Sequence, residues 1–157
     1  MPRGDEQVIE FLNEILTAEL TAINQYFIHA KMCENWGFAR LAKKKREESI
    51  EEMHDADRVI ERILYLEGTP NLQRLDPVRV GEDAIEQHRL DLEIELDAVG
   101  RYNRAIAVAR DKGDNGTREL LERHLKSEEE SVDWLEAQLY LVEQVGAQAY
   151  LAEQMGE

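Results

Sequence analysis

The stretch Leu16-Thr17-Ala18-Glu19-Leu20-Thr21-Ala22-Ile23-Asn24-Gln25-Tyr26 decides the fold. Its apolar series extends outward as Leu12, Leu16, Glu19, Ile23, Tyr26, Ala30, stepping by threes and fours. That spacing is the inward stripe of a bundled helix. Glu19 stands in it where an apolar residue belongs. Three further stripes carry the same anomaly. They are Glu52, Ala56, Val59, Ile63, Leu66; then Ile85, His88, Leu92, Glu95, Val99, Tyr102, Ile106; then Leu121, Leu125, Glu128, Val132, Leu135, Leu139, Val142. A carboxylate in such a stripe is costly to bury unless it is paired, protonated or bound to a metal. One per helix in four helices points to a shared site, against the plainer reading of four neutralised core acids.

The punctuation between stripes sets the architecture. Asp5 is an N-cap for a first helix ending near Asn35, and Gly37 stops it. A second helix runs from about Phe38 to Glu67. Gly68, Pro70 and Pro77 then mark an irregular stretch reaching Gly81, too long for a tight turn and long enough to cross the bundle. The third helix runs from about Glu82 to Asp111. The fourth starts with Thr117 as N-cap and ends near Gln144, and a short fifth covers Ala147 to Gln154. The expectation is one all-α domain over residues 1–157: an up-down four-helix bundle with one long crossover and a short C-terminal fifth helix.

Composition narrows the function. A net charge of −15 argues against a nucleic-acid backbone as partner. The single cysteine, Cys33, forms no intrachain disulfide and belongs to no Cys/His zinc cluster. No run of about 18 apolar residues exists to span a membrane, and the first residues lack a signal-peptide core. A reducing, cytoplasmic setting follows as the expectation.

Carboxylates are hard ligands suited to iron or manganese, and di-iron carboxylate bundles place a lone Glu on two helices and Glu-x-x-His on the other two. Glu19 and Glu95 fit the lone positions. The companion motifs should begin at Glu52 and Glu128, but the residues three further along are Asp55 and Ser131. His54 is two residues from Glu52, hence about 160° round the helix, and points away. Asp55 takes the ligand place, and Ser131 is a poor ligand for iron.

Several strings resemble the bacterioferritins over essentially the whole chain: Glu19 to Phe27 with Asn35-Trp36-Gly37, Glu48 to Met53, Ile60 to Leu64 with Leu66-Glu67-Gly68, Pro70 to Gln73, and Asp133 to Glu136. The resemblance implies a ferritin-like fold and a 24-subunit iron-storage cage. It also implies a di-iron ferroxidase centre in each bundle, haem b held between two subunits by a methionine from each, and a ferredoxin-type reductant. The haem methionine falls on Met53; without the resemblance, Met53 reads as packing beside Ile50. The ferroxidase ligands carry over at Glu19, Glu52, Glu95 and Glu128, with Asp55 a further metal candidate, while both histidine positions are replaced. The resemblance therefore implies a haem-methionine subunit type with a degraded centre, sharing a mixed cage with a ferroxidase-competent second subunit.

Two rivals stay open. One is a self-sufficient ferroxidase using Glu19, Glu52, Asp55, Glu95 and Glu128; the other is a purely structural shell subunit. Among the remaining residues, His88 and Tyr26 read as core. His29, His54 and His124 have no partner at ligand spacing and read as exposed or hydrogen-bonded, with a place at the haem edge as the alternative for His54. Lys43-Lys44-Lys45-Arg46 reads as a solvated charge run. Glu47 and Glu51 read as a solvated face, with iron binding at a cavity wall as the alternative.

Overall fold

A computed structural model of the chain describes residues 3–156. It is built of α1 (Glu6–Asn35), α2 (Ala39–Tyr65), α3 (Ala84–Asp111), α4 (Asn115–Val145) and α5 (Ala147–Glu153), with no strand among the described residues. The all-α bundle with a long crossover and a short fifth helix is the architecture expected from the stripes.

Caps explain where the helices begin. The Asp5 carboxylate accepts from the amides of Gln7 and Val8 at 2.8 and 3.2 Å, and Asp83 accepts from Glu86 N at 2.8 Å. The fourth helix starts three residues earlier than expected. Its N-cap is Asp114, which accepts from the Thr117 amide at 3.0 Å and from the Thr117 hydroxyl at 2.6 Å. Thr117 is thus the third residue of the first turn rather than its cap. Gly68 follows α2 where a Cβ would stand 2.7 Å from Ile9 Cγ2, so the close passage of α1 requires glycine there. Gly146, at φ 86°, turns the chain from α4 into α5 in a conformation that L side chains rarely adopt.

Side-chain pairs fix the relative directions. Along α1 and α3, Glu19 meets Tyr102, Tyr26 meets Glu95 and Cys33 meets Gln87, so these helices are antiparallel. Along α2 and α4, Arg62 meets Thr117, Asp55 meets His124 and Glu48 meets Ser131, again antiparallel. The crossover makes this possible by returning along α1. Asn71 N donates to Asn13, Arg74 Nε to Thr17, Asp76 N to Thr21, Arg79 N to Gln25 and Gly81 N to His29, at 2.8–3.1 Å. These acceptors recur every four residues, a polar line down one face of α1 about 24 Å long.

The core is split. One apolar cluster gathers Val8, Leu12, Ile15, Leu16, Val59, Ile63, Tyr102 and Leu121 toward one end of the bundle. A smaller one gathers Cys33, Leu41, Ala42, Ala84 and Tyr150 toward the other, where α5 packs. Each large aliphatic side chain buried there contributes about 1.5–3 kcal/mol. The middle layer between them is polar. On α3 the buried line is Gln87, His88, Asp91, Glu95, Ala98 and Tyr102, not the expected line through Leu92 and Val99, which are half-buried at its flank. The helix is rotated because Asp91 finds buried partners inside, so a carboxylate rather than Leu92 faces the axis.

A candidate metal centre in the bundle

The four glutamates of the stripes, Glu19, Glu52, Glu95 and Glu128, are all buried in the middle layer. Tyrosines from the opposite helices hold two of them. Tyr102 OH donates to Glu19 Oε1, and Tyr26 OH donates to Glu95 Oε1 at 2.8 Å. The second oxygens of Glu19 and Glu95 have no hydrogen-bond partner among the described residues. Burial raises Glu19 and Glu95 to about 7. Burial again, followed by repulsion from neighbouring carboxylates, raises Glu52 and Glu128 well above the ordinary range. Glu52 lies beside Glu19, and Glu128 beside Glu95. Four carboxylates this close cannot all be ionised without a cation.

Within this layer the ligand atoms do not form one symmetric set. Glu19, Glu52, Asp55 and Glu128 place an oxygen each within 4.8 Å of one another, whereas Glu95 falls outside that group. A second group joins Glu19 and Asp55 to His124, with His124 Nε2 3.6 Å from Asp55 Oδ1. Burial raises Asp55 to about 6, opposed by the Arg58 guanidinium, which donates to Asp55 Oδ1 at 3.2 Å.

His124 corrects the reading of it as an exposed or hydrogen-bonded side chain. It is buried, and neither ring nitrogen has a hydrogen-bond partner among the described residues. Burial lowers it to about 4, so it is neutral at pH 7. The signal was present in the sequence. The buried line of α4 is Thr117, Leu121, His124, Glu128, Ser131, Leu135, and His124 is one turn before Glu128 on it. A stripe drawn through Leu125 steps over it.

The other histidine position is closed. Ser131 Oγ donates to Glu48 Oε2 at 2.9 Å, so its hydroxyl is committed away from a metal. One turn farther along the bundle lies a second polar network. Asp91 accepts from Lys45 Nζ and from Gln25 Nε2 at 2.9 Å, and pairs with His29 Nδ1 at 2.9 Å. Lys45 also reaches His88 Nδ1 at 3.0 Å, and His88 Nε2 meets Tyr150 OH at 2.8 Å. His88 is therefore a satisfied core histidine. Lys45 is the correction: it is fully buried, because it alone of its charge run is in phase with Ser49 and Glu52 on the inward face of α2.

Met53 is turned the other way. It is 55% exposed, directly after the buried Glu52. Ile50, one turn earlier, is exposed, and so is Phe27, whose ring lies 5.8 Å from the guanidinium of Arg46. Ile50 and Met53, three residues apart, thus share an exposed apolar strip on α2. His54 is also exposed, away from the carboxylates.

A cavity of about 210 Å³ leads to the centre, lined by Glu48, Glu51, Glu52, Asp55, Glu128 and Ser131 among others. Glu51 is thus at the approach, whereas Glu47 lines a different groove beside Trp134 and Tyr150. Carboxylates at the mouth draw cations inward. The fit to a metal is uneven. The Glu19–Asp55–His124 side offers carboxylates, an uncommitted imidazole nitrogen and a free Glu19 oxygen. The Glu95 side offers no nitrogen, since Ser131 is tied to Glu48 and His29 and His88 are tied into the Lys45–Asp91 network. The residues present do not fit a symmetric two-metal centre with a histidine for each ion.

The chain matches the family model described as a ferritin-like domain over residues 9–145. It is 49% identical over 144 residues to the bacterioferritin of Mycobacterium leprae (strain TN), covering 92% of this chain and 91% of that protein. It is 51% identical to the bacterioferritin of Streptomyces coelicolor (92% and 86%) and 49% identical to that of Rhodobacter capsulatus (92% and 89%). No helix among the described residues is long and apolar enough to cross a membrane.

Proposed function

The chain belongs to the bacterioferritin family of ferritin-like proteins, and from that premise we propose that it is an iron-storage subunit whose own contribution is haem binding through Met53. The observation that carries this reading is the exposed Met53 thioether on an apolar strip, next in sequence to a glutamate that faces the core. A strip of that kind is costly to leave in water and suits an isologous contact, in which a second copy presents the same Met53 across a two-fold axis. Met53 of each copy would then hold one haem, and soft thioether donors would favour a redox-active iron. A haem bound there supplies a one-electron relay for reducing stored ferric iron, with a ferredoxin-type protein as the electron donor.

The rest of the chain supports an assembled shell in the cytoplasm, with 24 subunits as the family assembly. The acidic surface attracts ferrous iron as cargo. The exposed Tyr140, Leu141 and Val145 near α5 are apolar surface that neighbouring subunits would cover. Rapid Fe(II) oxidation is assigned to a second bacterioferritin subunit in a mixed cage, because here the positions expected for nitrogen ligands hold Asp55 and Ser131.

The absorption spectrum of the assembled protein tests the reading. The wild type should show a haem band at one haem per two chains, and Met53→Ala should lose it while keeping the assembly. A haem band that survives Met53→Ala would remove Met53 from the site. No haem in protein purified from its native host would favour a purely structural shell subunit. Fast stopped-flow Fe(II) oxidation by a cage of this chain alone would replace the mixed-cage reading with a self-sufficient ferroxidase.

A further inference from the structure

We propose that this bundle holds a single divalent transition-metal ion on Glu19, Asp55 and His124, with Glu52 and Glu128 within reach to complete the shell. The site is built by exchanging ligands between helices. The nitrogen absent from α2 and from the far end of the α4 motif is supplied by α4 one turn earlier. The antiparallel register of α2 and α4 makes the exchange geometrically natural. Glu48 faces Ser131 and Asp55 faces His124, so a step up one helix is a step down the other.

Three observations support it independently of the acidic cluster itself. First, His124 is an imidazole with 5% of its side chain exposed and with neither nitrogen hydrogen-bonded among the described residues. Buried polar atoms are almost always satisfied, and an orphaned pair on one ring marks a missing partner. Second, Glu19 is oriented for ligation: Tyr102 OH fixes Oε1 and leaves Oε2 without a partner. A phenol holding a ligand carboxylate in place is the outer support that metal sites use. Third, the separations suit one ion. Ligand atoms bound at 2.0–2.2 Å to a common ion stand about 3–4.3 Å apart. His124 Nε2 and Asp55 Oδ1 are 3.6 Å apart, inside that range, and Glu19 brings an oxygen within 4.8 Å of both, a small inward shift from it.

Charge and donor type give the class of ion. One imidazole nitrogen with carboxylate oxygens suits Fe²⁺, Zn²⁺, Co²⁺ or Mn²⁺, and not the all-oxygen preference of Ca²⁺. A dication between ionised Glu19 and Asp55 is locally neutral. Arg58, on Asp55 Oδ1, must give up or share that oxygen; it is a half-exposed side chain and can turn to solvent. A second ion on the Glu95 side would have no nitrogen donor and would lie toward the buried Lys45 ammonium, 5.9 Å from the Tyr26 ring. The inference stands apart from haem at Met53, which faces outward.

Zinc is the probe, because it takes the same donors and is redox-silent. Metal-stripped assembled protein is titrated with Zn²⁺ by calorimetry. One tight ion per chain is expected. His124→Leu should weaken it by more than about 100-fold, beyond the loss typical of outer-shell substitutions. The Glu95→Gln protein should keep it within about threefold, a change under 1 kcal/mol. Should His124→Leu not assemble, zinc K-edge X-ray absorption on the wild type decides the matter without a variant: imidazole scattering supports the site and an all-oxygen shell overturns it. Two tight ions per chain, unchanged affinity in His124→Leu, or loss of binding in Glu95→Gln would also overturn it.

Discussion

Asp91 is a carboxylate without access to water that nonetheless stays ionised. Its burial alone would push it up, yet the Lys45 ammonium and the hydrogen bond from His29 outweigh that and hold it down at about 2. Removing one partner of such a pair strands the other. Lys45→Met should therefore destabilise the fold by about 3–5 kcal/mol, read by denaturant unfolding, and Asp91 should titrate at higher pH by carboxyl NMR. In the wild type the sign is fixed by the lowered value. The pair's contribution is complete above the ordinary aspartate range, near 3.8, and is lost as the pH falls toward 2. Lys45 and His124, both misplaced by the sequence reading, share one cause. Stripes traced on apolar residues step over polar ones in phase with them. Counting by threes and fours from Glu52 and Glu128 reaches Lys45 and His124 directly. What no count could supply is the partner: that Lys45 finds Asp91 whereas His124 finds no protein hydrogen-bond partner is a property of the assembled layer.

At the scale of the element, α1 carries two functions on two faces. One buries Leu12, Leu16, Glu19 and Tyr26 against the bundle; the other presents Asn13, Thr17, Thr21, Gln25 and His29 to the crossover. The first face was legible because its pattern is hydrophobic. The second was not, because a polar residue every fourth position looks like solvated surface until an extended segment is laid along it. Its purpose is accounting: such a segment beside a helix has no ladder partner, so side chains must satisfy its amides. Thr21→Val tests one rung with little change of shape. The Asp76 amide loses its acceptor, so its hydrogen exchange should quicken while amides in α1 keep their protection. The stability cost should be about 1 kcal/mol. The same ladder explains why α3 can run antiparallel to α1, since the crossover delivers the chain to the C-terminal end of α1 before α3 begins.

For the whole molecule, the middle layer trades stability for a site. Two apolar clusters close the ends, and between them lie carboxylates whose ionisation the fold resists. The sign of that cost follows from the raised values. Glu95 takes its proton at about 7 in the folded chain, against 4.5 in an exposed one. Between those values the folded state holds a proton that the unfolded state has released. Stability in metal-free protein therefore falls as the pH rises through that window, and the full cost is present above 7. Glu19 acts in the same window, and Asp55 slightly below it, from 3.8 to about 6. His124, lowered to about 4, works in the opposite direction below 6.5 and so partly offsets the raised carboxylates. Replacing a carboxylate by its neutral isostere isolates a single contribution. In Glu95→Gln the new side-chain amide would still accept from Tyr26 OH through its oxygen and could donate through its nitrogen to Glu128. The substitution should thus be close to neutral at pH 4.5 and stabilising by on the order of 3 kcal/mol at pH 8 in the presence of a chelator. Thermal unfolding of wild type and variant across pH 4.5–8 checks this. A stability difference that does not grow with pH would mean that Glu95 is already ionised in the folded, metal-free bundle. A cation bound in the layer should shrink the pH dependence of the wild type, because the ion then compensates the carboxylates in place of protons.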